Sequence, residues 1–84
     1  MLLQEHPLFK EWVAELDKLE ARRAELDALR AQLRSGKVTD LAAFSAKWFP
    51  LEKATREAGI AEEKLLVRLL ETWQREHPPT SKSR

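Results

Sequence analysis

Few side chains in this sequence have the type and spacing to carry chemistry. His6 and His77 stand near opposite ends of the numbering, with Glu5 and Glu76 beside them. Imidazole and carboxylate together ligate zinc-like ions, and an antiparallel helical arrangement would bring those ends together. The spacing argues against such a site, since neither His-Glu-x-x-His nor any other ligand pattern occurs. His77 is placed instead to interact with the free carbonyls of a last helical turn. Glu11-Glu15 and Glu62-Glu63 are acid pairs, but acid–base catalysis needs a cleft that shifts their pKa values, and nothing in the sequence encloses one. Serines and threonines lie at boundaries or in the tail, apart from Ser45, Thr55 and Thr72. With no cysteine and two glycines in total, thiol chemistry and glycine-rich phosphate loops fall away. No enzyme, metal or cofactor is expected.

Nucleic acid is the next chemistry to weigh. Fifteen basic and fourteen acidic residues leave a formal charge of +1, which gives no global electrostatic drive toward phosphate. Arg22, Arg23, Arg30, Arg34 and Lys37 nevertheless gather in one stretch. Residues 51–76 approximate a helix-turn-helix, with Gly59 as the turn and Ala54, Ala58, Ile60 and Leu65 as core contacts. Against this, Glu62 and Glu63 open the would-be recognition helix and would meet phosphates there. DNA binding is therefore the alternative reading and not the favoured one.

Apolar side chains carry the stronger signal. Phe9, Trp12, Leu16, Leu19, Leu26, Leu29 and Leu33 recur about once per helical turn, which predicts one long amphipathic helix over His6–Leu33. Trp12, Leu19, Leu26 and Leu33 fall seven apart, but Arg23 and Arg30 occupy the matching seam positions in the second half, which favours a hairpin or bundle over a long parallel coiled coil. Its outer face carries opposite charges three or four apart, such as Glu20 with Arg23 and Asp27 with Arg30. Residues 5–20 hold five acids against two bases and residues 22–37 five bases against two acids, the order a helix macrodipole prefers. A helix of about 28 residues would be roughly 42 Å long, whereas a compact chain of this size has a radius of gyration of roughly 12 Å. The helix must protrude, be covered by the rest of the chain, or be covered by a second copy.

Ser35-Gly36-Lys37-Val38-Thr39-Asp40 punctuates the chain. Gly36 is suited to a left-handed helix end, and Thr39 or Asp40 to capping the next helix. So short a link predicts antiparallel neighbours. Pro50 is expected to kink or break the second segment between Trp48 and Leu51. Helix then resumes through Ala58, Gly59 ends it, and Ile60 makes the apolar contact that follows a glycine cap. The last helix, Ala61 to about Glu76, is stopped by His77-Pro78-Pro79. Leu65, Leu66, Val67, Leu69, Leu70 and Trp73 cover more than one stripe of it, which predicts burial on two sides.

Leu29–Trp48 resembles the helix, Gly-x-Val-Thr-Asp turn and helix of the short C-terminal domains of many bacterial proteins. Ser35-Gly36 followed by an amphipathic helix is also similar to the small subunit of exonuclease VII, which implies a helical hairpin accompanying a larger subunit. Each likeness spans about twenty residues, and neither assigns a role to a residue.

The longest apolar run is four residues, so no transmembrane segment is expected, and the start of the chain lacks the order of a signal peptide. A cytoplasmic protein is expected. The absence of asparagine, of methionine after Met1, and the 35% of charged residues fit a thermophilic or GC-rich source. The sequence therefore predicts an all-α fold: a long N-terminal helix in an antiparallel hairpin or bundle of three to four helices, kinked at Pro50. Residues 1–79 would form one domain and 80–84 a disordered basic tail. The function expected is non-catalytic protein–protein interaction, as a homo-oligomer, most simply a homodimer, or as an accessory subunit or inhibitor docked on a larger bacterial or phage protein. Leu26, Leu29, Leu33, Trp48, Phe49, Leu66, Leu70 and Trp73 are the candidate contacts.

Overall fold

A computed structural model describes residues 2–78. The expected tail at 80–84 lies outside the described residues. The fold is all-helical and is a hairpin of two long helices, α1 (Pro7–Arg34) and α2 (Leu41–Glu76), preceded by a single 3₁₀ turn at Leu3–Glu5.

Local chemistry sets the boundaries of α1. His6 caps its start, with Nδ1 accepting from the Leu8 N–H at 3.1 Å, and Pro7 follows where its missing N–H costs nothing. At the far end Gly36 takes φ +77°. There the Gly36 N–H donates to the Leu33 carbonyl at 3.2 Å and the Lys37 N–H to Gln32 at 3.3 Å, the paired bonds of a Schellman ending. Asp40 then caps α2, Oδ1 accepting from the Ala43 N–H at 3.0 Å.

In place of three or four helices, α2 runs unbroken for 36 residues through both expected breakers. Pro50 has no N–H to donate to the Ala46 carbonyl, but Pro50 and Ala46 are both exposed, so water can reach that oxygen. Gly59 does not end a helix. It faces α1, where a Cβ built on it would lie 3.9 Å from Leu19 Cδ1, and its flanking alanines and charged residues favour helix. Ile60, expected to close a glycine cap, is instead 53% exposed.

The long helix is thus covered lengthwise by its successor, and the molecule measures 65 × 21 × 17 Å with a radius of gyration of 19.0 Å. Leu19, Leu26 and Leu69 are the buried apolar residues of the seam. No helix among the described residues is long and apolar enough to cross a membrane.

Candidate interaction surface

Polar and aromatic contacts fix the hairpin's register at intervals, and they use many of the side chains to which chemistry could be ascribed. The buried His6 ring accepts at Nδ1 from its own helix, so Nε2 carries the proton and donates to Glu76 Oε1 at 3.1 Å. Trp73 packs edge-on to His6 and stacks on His77, with centroids 3.8 Å apart. His77 also meets the Trp73 carbonyl, with Nδ1 at 3.3 Å and the backbone N–H at 2.8 Å, the helix-end role expected of it. Further along, the Trp12 indole N–H donates to Glu62 Oε2 at 2.7 Å. At the turn end the Arg30 guanidinium lies 5.1 Å above the Trp48 ring, which in turn stacks on Phe44. His6 with Glu76 and Arg30 with Trp48 join opposite helix ends, which makes α1 and α2 antiparallel. Among the described residues no group of three or more His, Cys, Asp or Glu is arranged to hold a metal ion.

The basic set takes a different form from the one its sequence proposes. Arg30 is held against Trp48 and lies 3.5 Å from Asp27. Arg22 is half-buried, while Arg23, Arg34 and Lys37 are exposed. The helix-turn-helix at 51–76 is not formed, because no turn interrupts α2. Glu62, read as the objection to that motif, is engaged by Trp12.

The eight apolar candidates divide. Leu26 is buried in the hairpin's own seam. Leu29, Trp48, Leu66 and Trp73 are half-buried. Leu33, Phe49 and Leu70 are exposed, Phe49 at 65%. Four further large apolar residues, none of them among those candidates, are also exposed: Leu2, Leu41, Ile60 and Val67.

On α2 the large exposed apolar residues are Leu41, Phe49, Ile60, Val67 and Leu70, with successive spacings of 8, 11, 7 and 3. At roughly 100° per residue these five fall within an arc about 100° wide, turned roughly 80–180° from the buried Leu69. They therefore form one stripe along α2, away from the seam. At its start, Leu33, Leu41, Phe44, Trp48, Phe49 and Arg30 line a groove of about 340 Å³. Towards its end, Ile60, Glu63, Lys64 and Val67 line another of about 420 Å³.

Charge on the stripe is confined to its middle. Lys53, Arg56 and Glu63 separate the Phe49 end from the Val67–Leu70 end. Arg56 is bonded within the helix to Glu52, Nε and Nη2 donating to the carboxylate at 3.0 and 2.7 Å. That pairing holds the Glu52 carboxyl below the ordinary carboxylate range and raises Arg56 above its usual value. No protein-family model, curated protein or solved structure matches this chain.

Proposed function

We propose that this hairpin is a non-catalytic protein–protein interaction module, acting by self-assembly or as a small subunit or inhibitor docked on a larger protein. The observation that carries this reading is the stripe of exposed Leu41, Phe49, Ile60, Val67 and Leu70 along one side of α2. Scattered apolar residues on a surface need no explanation, but five large ones in phase along a helix of 36 residues do. Together they expose on the order of 500 Å² of apolar side chain, divided between the two ends of the stripe. Matched by a similar area opposite, that surface yields on the order of 25 kcal/mol gross, more than the roughly 4–15 kcal/mol that association costs.

The test is site-specific photo-cross-linking in the source cell, with the reactive residue introduced at Val67 or, as control, at Ala28 on the exposed side of α1. Discrete protein adducts from position 67 and none from 28 are the expected result. The absence of adducts from 67, or equal yields from both positions, would remove the reading.

A further inference from the structure

Resting on that reading, we infer that the occupant of the α2 stripe is a second copy of this chain, packed antiparallel with a two-fold axis crossing the stripe between Arg56 and Ile60, at the level of Ala58. The argument starts from the pattern along the stripe. The heptad-spaced seam on this side of α2 runs Ala46, Phe49, Lys53, Arg56, Ile60, Glu63, Val67, Leu70: apolar, basic, then acidic among apolar residues, with Leu41 lying beyond its start. Turned end for end about Ala58, it matches itself. Phe49 meets the partner's Val67, Ala46 meets the partner's Leu70, and Lys53 meets the partner's Glu63. The Arg56 stem lies over the partner's Ile60, its head already satisfied by Glu52 at 2.7 Å. Each pairing occurs twice, as an isologous interface requires.

Other arrangements lose the charge match. A parallel, in-register pair sets Lys53 on Lys53, Arg56 on Arg56 and Glu63 on Glu63. An antiparallel pair shifted by one heptad sets Lys53 against the partner's Arg56 in one direction and the partner's Leu70 in the other. The favoured register is also centred on the helix itself, because Ala58 falls at the middle of Leu41–Glu76 and neither end overhangs. Shape agrees with charge. The groove at the Phe49 end, lined by Leu33, Leu41 and Trp48, is apolar and open, while Val67 and Leu70 stand exposed at the other end. Reversal brings each pair of protruding side chains onto the other copy's groove.

The area suffices. The paired strip from Ala46 to Leu70 is about 36 Å long on a helix about 10–12 Å across, roughly 400 Å² in projection and more as accessible surface. That is of the order of the roughly 800 Å² which a standard interface takes from each partner.

The experiment is sedimentation equilibrium on the full chain over a hundredfold concentration range, with circular dichroism to verify the fold of every variant. Wild type is expected to dimerise, and Val67→Asp, a change at an exposed site, to sediment as a folded monomer. Lys53→Glu and Glu63→Lys should each raise the dissociation constant about tenfold by creating two like-charge contacts, and the double swap should recover most of the loss. A folded wild-type monomer throughout overturns the inference; adducts from position 67 to a different protein would then leave the interaction reading standing. A dimer insensitive to either single swap, or a double swap no better than the singles, overturns the antiparallel register.

Discussion

Gly36 and Gly59 are expected to answer the same substitution with opposite signs. Gly36 ends α1 at φ +77° with nothing within 4 Å of its missing Cβ, so space is free but the backbone is not. Gly36→Ala should cost about 1 kcal/mol through left-handed strain alone. Gly59 sits inside α2 at ordinary φ, where an added methyl would meet Leu19 Cδ1 at 3.9 Å, a normal van der Waals distance. Gly59→Ala should therefore gain about 0.5–1 kcal/mol by lowering the entropy of the unfolded chain. Urea denaturation of both variants checks the pair, and destabilisation by Gly59→Ala would mean that the helices cannot accept even a methyl there. Trp12→Phe isolates another contact, since it keeps a ring beside Phe9 and removes the 2.7 Å donation to Glu62. About 1.5 kcal/mol should be lost, and Glu62→Gln, which keeps an acceptor, should lose less. Leu19, opposite Gly59, and Leu69, each at 1% exposure, are the places where a cavity would cost most.

The continuity of α2 decides what could be read from the sequence. The ends of the two helices, set by a few neighbouring residues, were legible: the start of α1 at His6-Pro7, the left-handed Gly36, the Asp40 cap and the stop at His77. Pro50 and Gly59 were read by the same local rules as interruptions, and there tertiary contact and solvent access prevailed. That difference also hid most of the stripe. Leu41, Ile60 and Val67 come into phase with Phe49 and Leu70 only if one helix carries all five, whereas a break at Pro50 and a cap at Gly59 reset the phase twice. Pro50→Ala should consequently raise stability by about 1–3 kcal/mol, restoring a bond to the Ala46 carbonyl without disturbing an exposed position; a fall in thermal midpoint would show that the proline shapes α2. Acid should loosen the same helix at Glu52. Because Arg56 lowers the folded carboxyl's pKa, the pair's contribution is complete above the ordinary carboxylate value and is lost as pH falls through the lowered one. Glu52→Gln should flatten that part of the acid limb, and both curves should converge in high salt because the pair is exposed.

At the scale of the whole molecule, a hairpin 65 Å long with three buried leucines has little interior for its length. A single core in so small a chain supplies only about 3–5 kcal/mol, which makes the outer stripe a matter of stability as well as recognition. If two copies pair about Ala58, unfolding is coupled to dissociation and the thermal midpoint depends on protein concentration. A hundredfold increase adds about 2.7 kcal/mol per dimer by mass action, and for chains of this length that is a rise of roughly 5–10 °C. Val67→Asp should lower the midpoint and remove its concentration dependence together, since it disables the interface without entering the hairpin's seam. Shape supplies the independent check. An antiparallel pair centred on α2 leaves the long dimension near 65 Å while the cross-section grows, whereas end-to-end association would roughly double the length. Small-angle scattering separates these outcomes, and a long dimension well above 65 Å in a concentration-dependent dimer would place the contact at the helix ends, where Trp48 and Trp73 lie, and not along the stripe.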